Sequence, residues 1–471
     1  MSFFPSFLSL HPLPYNRRLQ LKSNFTKLHS ALRPICIALA IAGVSSSSAF
    51  AADSELKLAI AKNYNAQLKP LFEHFHQNPE LSFMETKTAA RLAKELRAAG
   101  FEVTEGVGKT GVVAMLKNGP GPLVMLRADM DGLPLEEKSG LPYASKVQQK
   151  DPDGKDQFVM HACGHDVHIT SLVGTAVQMA ALKNQWSGTL MLVGQPAEER
   201  VGGAAAMMKD QIWKRFGQPK YALAFHVDSG SEAGKIVAEE GSPYSGVDTV
   251  EITVHGIGTH GAYPHLGKDP VVIGAQIVLA LQTIVTREVA PREPAVITVG
   301  SFHSGTKSNI ISDQAKLQLS VRSESKETRE LLLAAIKRVA MNTARAAGLP
   351  ENLLPEVVER DTPTPPTLND IPLTQHLKKV WTAKLGKDAF ATPKMRDGMG
   401  AEDFPFFTSD PYIPSVYFSI GGTPKADFDN EKKGGPAVPG HHSPIFKITP
   451  EPAIRAGVEA SVIALLDLLK K

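Results

Sequence analysis

Met160-His161-Ala162-Cys163-Gly164-His165-Asp166-Val167-His168 runs straight into an apolar stretch of helix length, residues 169–182. The first nine residues hold one thiol, three imidazoles and a carboxylate, with one glycine to let the backbone turn. Apolar packing has no use for that composition. A transition-metal site does, because thiolate and imidazole are the usual ligands of zinc and its neighbours. Cys163 and His165 lie two apart, so on a tight loop both face one cation. The pattern predicts a helix over 169–182 with Asp166 as its N-cap.

Outward from this stretch, helix and strand alternate. Residues 55–75 and 85–99 read as amphipathic helices, the second stopped by Gly100. Residues 112–116, 123–126, 190–193 and 222–225 are short apolar runs of strand length. This order predicts an α/β fold with a layered sheet. The polar candidates fall just after the strands: Asp129 and Asp131 after the second run, Glu198 and Glu199 after the third, His226 after the fourth. Ligands in open α/β sheets bind beyond the carboxyl ends of strands, so these distant residues converge there. Between 241 and 359 the pattern changes to strand–helix–strand–strand–helix, with Val250, Ile252 and Val254 alternating as in a half-buried strand. That block predicts a second, smaller α/β sandwich inserted into a larger discontinuous domain, residues 52–240 and 360–471. Residues 360–366, with three prolines, read as the linker back, and Glu402, Asp403, His441 and His442 follow it.

The 471 residues are 42% hydrophobic and 21% charged, which is ordinary globular make-up for two or three domains. Residues 1–51 contain Arg17, Arg18, Lys22, Lys27 and Arg33 and no acid. Without them the 51 basic side chains fall to 46 against 48 acidic, a near-neutral balance that offers no electrostatic case for nucleic acid or anionic membrane. The same residues read as a cleavable export signal: a basic region, an apolar run over 35–44, and Ala49-Phe50-Ala51 as the cleavage site. The expected location is therefore periplasmic or secreted. Of the two cysteines, Cys36 lies in the signal, so the mature chain holds one thiol and no internal disulfide. A thiolate held on a metal is protected in an oxidising compartment.

Further clusters carry chemistry. In Asp129-Met130-Asp131 two carboxylates share one face of an extended segment. In Gln195-Pro196-Ala197-Glu198-Glu199 two adjacent carboxylates repel, and burying both needs a cation. One can hold metal while the other acts as general base on water. His226 ends an apolar run, and His441-His442-Ser443-Pro444 is a loop pair.

Together the motifs Arg127 to Pro134, His161 to His168, Gln195 to Glu199, Phe225-His226-Val227, Gly258-Thr259-His260 through His265, Gly400 to Phe404 and His442-Ser443-Pro444 resemble the M20 metallopeptidase family. Within it they are similar to the amidohydrolase branch of aminoacylases, hippurate hydrolases and auxin-conjugate hydrolases. The resemblance covers roughly residues 55–468 and implies a two-domain enzyme with two divalent ions (zinc, manganese, cobalt or nickel). It implies Cys163, His165, Glu199, His226 and His442 as ligands, with the Cys163 thiolate between the metals. It implies Glu198 as general base, and His260 as a lid histidine that reaches the partner subunit's site. Asn309 and Arg322 match lid positions that hold the substrate carboxylate and backbone, and Asp131 matches a carboxylate behind the ligands. The family's frequent histidine at position 129 is Asp here.

The expected reaction is metal-dependent hydrolysis of the amide bond of N-acyl or N-aroyl amino acids, giving a carboxylic acid and a free amino acid. An arginine such as Arg322 clamps a carboxylate with two parallel hydrogen bonds. Two other classes stay open on sequence alone: a metallo-dipeptidase or aminopeptidase, which wants an acidic pocket for a free amino group, and a binding protein on an inactive scaffold. The uncharged run Ala295-Val296-Ile297-Thr298-Val299 predicts an edge that pairs with its copy, making a homodimer.

Overall fold

The computed structural model describes residues 54–360, 362–392 and 398–471, and Glu55–Lys471 pack as one unit. The expected export signal falls outside the described residues. In chain order the elements that matter here are α1 (Lys69–Gln77), α2 (Thr86–Ala98), β1 (Glu102–Val107), β2 (Gly111–Asn118), β3 (Leu123–Asp129), α3 (His165–Ala181), β4 (Gly188–Gln195), β5 (Tyr221–Glu232), β6 (Ile236–Val237), β7 (Gly241–Tyr244), β8 (Gly246–His255), α4 (Pro270–Arg287), β9 (Ala295–Ser304), β10 (Gln314–Ser323), α5 (Lys326–Ala346), β11 (Glu356–Glu359), β12 (Thr367–Asn369), α6 (Ile371–Leu385), β13 (Ser415–Thr423) and α7 (Pro450–Leu468).

A seven-stranded sheet runs β1-β2-β4-β3-β5-β13-β6. Its centre is parallel: β3 pairs with β4 and β5, and β5 with β13. Both faces of that centre are covered, so its strands read as near-continuous apolar runs. Val124, Leu126 and Ala128 of β3 face one core with Leu172 and Val173 of α3 and Val458 of α7, while Met125 faces a second core with Met207 and Phe407. Helix α3 is buried almost all round, and α7 packs along it. They approach closely at Gly174, where a Cβ would fall 2.5 Å from Val458 and 2.8 Å from Leu68. Ahead of α1 the chain is helical from 54 but widens to a π turn over Tyr64–Leu68. Pro70 follows that turn, and a proline lacks the N–H and clashes with the carbonyl four residues back, so the widened turn accommodates it.

The apolar runs undershoot the strands they seed. The run 123–126 becomes β3 through Asp129, and 190–193 becomes β4 through Gln195. His226 sits inside β5, not after it. The polar ends of these strands are buried and paired, which hydropathy cannot register. Asp166 is likewise not the N-cap of α3. That position falls on Gly164, in the left-handed region at φ 87°, and Asp166 Oδ1 accepts the Val167 N–H inside the first turn.

Residues 246–359 build a separate four-stranded antiparallel sheet, β9-β10-β8-β11, with α4 and α5 on one face and a core of its own. The two connections to it pair as a short ribbon, β7 against β12, with Tyr244 opposite Thr367.

Candidate metal centre

The site forms where β3, β4, β5 and the turn before α3 meet. Gly164 makes the turn: its positive φ suits glycine, and a Cβ there would lie 2.3 Å from Val227 Cγ1. The turn aims Cys163 and His165 at His226, and ligand atoms of the three lie within 4.8 Å of one another. Cys163 Sγ is 3.3 Å from His226 Nε2. His226 Nδ1 donates to the Val227 carbonyl at 2.6 Å, which leaves the Nε2 lone pair facing the thiol. A second group, Cys163, Glu199 and His442, meets the same distance, so Cys163 is the corner common to both. Glu199 Oε2 is 3.3 Å from His442 Nε2, and Oε1 is 3.9 Å from His165 Nε2.

Electrostatics call for a cation here. Burial, and then Glu199 and Glu198, push the Cys163 thiol well above its ordinary value. Burial works against a charged His165 ring, but Asp129 and then Asp131 outweigh it and raise the ring to about 10. Neither His165 nitrogen completes a well-directed hydrogen bond, although Nδ1 lies 3.3 Å from Asp131 Oδ1. Glu199 Oε1 and His441 Nδ1 are also buried without partners. Orphaned imidazole and carboxylate groups converging with a buried thiol on one negative spot fit divalent metal ions.

Asp131 ties the ligands together. It accepts Ser82 Oγ–H at 2.6 Å and the Glu198 and Glu199 amides at 3.1 Å each, while facing His165. The glutamates ride a one-turn helix held between Ala197 and Val201, both at φ 49°. That conformation is rare for a β-branched residue and marks a constrained loop. Glu198 is buried, with Oε2 3.9 Å from His165 Nε2. Burial, then Glu402 and Glu199, raise its proton affinity well above that of an ordinary glutamate.

Asp129 is fully engaged elsewhere. It accepts Arg127 Nη1–H at 2.6 Å and pairs with His168 Nδ1, and His168 Nε2 accepts the Val227 amide at 2.8 Å. Both nitrogens of His168 are thus used, which removes it as a ligand despite its position beside His165. Behind Asp129 stands a network that sequence reasoning does not assign. Arg127 is fully buried and bonds Gln195 at 2.7 Å, Glu402 at 2.7 Å and Asp403 at 3.3 Å. Tyr417 Oη adds a 2.6 Å bond to Glu402. One signal was present: a cation inside the apolar run Leu126-Arg127-Ala128 needs buried anions around it.

Ligand groups and Glu198 open into a cleft of about 780 Å³, closed on its other side by Thr249 and Arg322 of the smaller sheet and by Tyr244. Arg322 Nη1 donates to the Met399 carbonyl at 2.6 Å. His260 and Asn309 are not brought to this cleft. Both are exposed among the residues of the smaller sheet's region, where the Asn309 carbonyl accepts the Gly261 amide at 2.8 Å. His260 lines a separate cavity of about 890 Å³ with His303 and Lys316.

The chain is similar to a hippurate hydrolase of Campylobacter jejuni, 36% identical over 346 residues, 72% of this chain and 85% of that protein. It is similar to thermostable carboxypeptidase 2 of Saccharolobus solfataricus, 34% identical over 400 residues, 84% of this chain and 94% of that protein. Among solved structures, the Bacillus subtilis YXEP protein, a dinuclear metal-binding peptidase of the M20 family, superposes with a TM-score of 0.71 at 27% identity, covering 87% of this chain and 99% of its own. A family model, Peptidase family M20/M25/M40, matches residues 125–432, and with that match the chain belongs to this family.

Proposed function

We propose that this chain is a metal-dependent amidohydrolase that splits N-acyl or N-aroyl amino acids, adding water across the amide to give a carboxylic acid and a free amino acid. The observation that carries it is the placement of Glu198 beside the Cys163, His165, His226, Glu199 and His442 cluster, in a cleft that also presents Arg322. Those five side chains would hold two divalent ions, which supply the Lewis acidity that activates water and polarises a carbonyl. Glu198 takes the proton of the attacking water at its carboxylate and delivers it to the leaving amine nitrogen. Burial, then Glu402 and Glu199, raise its proton affinity, the direction that favours taking a proton. Arg322 anchors the carboxylate of the amino acid product. Hippurate is an N-aroyl amino acid, and a carboxypeptidase also releases an amino acid with a free carboxylate, so both relatives support the same leaving group.

The working unit in this reading is a homodimer. Strand β9 is the edge of its sheet, and α4 beside it exposes Val271, Val272 and Leu279. Pairing two β9 edges about a two-fold axis would cover them and carry His260 toward the partner's cleft. The chain acts outside the cytoplasm, after removal of residues 1–51. A panel of benzoyl and acetyl amino acids against free dipeptides, with metal-loaded protein, tests the substrate class. Turnover of the acyl amino acids is expected. Turnover of free dipeptides alone would make the chain a dipeptidase.

A further inference from the structure

We propose that Tyr244 is a catalytic hydrogen-bond donor to the carbonyl oxygen of the scissile amide, an assignment that rests on the amidohydrolase reading above. Tyr244 ends β7, where the ribbon leads into the smaller sheet, and it lines the cleft with Cys163, Glu198 and Glu199. The ring stands edge-on to Tyr417, 5.1 Å between centroids, and 6.5 Å from the His226 ring. These contacts hold it beside His226, one of the ligand groups. The two tyrosines differ in what their hydroxyls do. That of Tyr417 is bonded to Glu402. That of Tyr244 bonds to none of the described residues, although backbone bonds fix the strand around it: the Ser245 amide donates to the Gly400 carbonyl at 2.7 Å, and Ser242 Oγ donates to the Tyr244 carbonyl at 2.8 Å.

The surroundings decide what this hydroxyl can bind. Its cleft neighbours Glu198, Glu199 and Glu402 are acceptors, and Cys163 is one once its thiol is deprotonated. Water attack on an amide moves negative charge onto the carbonyl oxygen, and a fixed donor in a partly dry cleft stabilises that charge. A phenol is an O–H donor at neutral pH, so this hydroxyl has a hydrogen to give. His260, the lid histidine that the family resemblance implies for the partner's site, lies outside the cleft of its own chain.

Tyr244→Phe keeps the ring and its packing on Tyr417 and removes only the hydroxyl. The measurement is kcat and KM of the metal-loaded full chain on an N-acyl amino acid, with metal content and the affinity of a phosphinate analogue of the tetrahedral state. We expect kcat to fall about 10²-fold. Phosphinate affinity should fall in parallel, with KM and bound metal unchanged. An unchanged kcat would overturn the assignment, and so would metal loss in proportion to activity, which would make Tyr244 a support for the ligands. If the metal-loaded wild type hydrolyses no N-acyl amino acid, the amidohydrolase reading itself fails, and the role of Tyr244 fails with it.

Discussion

At the scale of single residues, Cys163 holds the centre together because its sulfur is common to two ligand groups. A thiol among Glu198, Glu199, Asp129 and Glu402 is deprotonated only against a cation. Cys163→Ala should therefore lose most bound metal and nearly all turnover, read by elemental analysis beside an activity assay. Full metal occupancy in that variant would remove the thiol from the ligand set. Cys163 and His165 were legible in the sequence because their spacing is local: two residues on one turn must face the same way. Arg127 was not, since its partners Glu402 and Asp403 stand some 275 residues away and only the fold brings them in. His168 and Asp129 were ambiguous for the opposite reason. Their residue types suit a metal, and only the bonds to Val227 and Arg127 show them engaged elsewhere.

At the scale of elements, the start of α3 is fastened to α1 through a buried triad. His76 Nδ1 lies 2.6 Å from Asp166 and Nε2 3.1 Å from Glu137, all three buried. Burial opposes the His76 cation, but Asp166 and Glu137 outweigh it and set its pKa at about 10, against 6.5 when unfolded. A raised folded value means that this stability is complete below about pH 6.5 and is lost as pH climbs toward 10. His76→Gln should cost about 3–5 kcal/mol near pH 6. The gap from wild type should narrow steadily up to pH 10, as measured by denaturant unfolding at several pH values. A gap that widens with pH would contradict a charged His76. The alternation of helix and strand was readable because apolar period is a local property. Strand ends were not, because β3 and β4 finish in buried Arg127, Asp129 and Gln195, whose partners lie on other elements. The Tyr64–Leu68 π turn was hidden for a similar reason: Pro70 forbids a regular turn without dictating which irregular one replaces it.

At the scale of the whole molecule, two sheets frame one cleft, and the α/β class with its smaller sheet followed from the change of pattern near residue 241. The cleft draws Arg322 from the small sheet but leaves His260 outside it. If a dimer completes the site, mixing inactive Glu198→Ala with inactive His260→Ala protomers should restore about a quarter of wild-type activity, since half of randomly formed dimers are mixed and each holds one good site of two. No recovery despite proven subunit exchange would confine His260 to its own subunit or remove it from the reaction. The central claim is that metal is held by one glutamate and the proton is moved by its neighbour. Its most direct test is turnover of an N-acyl amino acid, with metal content, for wild type, Glu198→Ala and Glu199→Ala. Glu198→Ala should keep its metal and lose turnover by at least about 10²-fold, the floor for removing a positioned base, and Glu199→Ala should lose metal and turnover together. Equal metal loss in both variants, or a Glu198→Ala protein that still turns over at the wild-type rate, would contradict it.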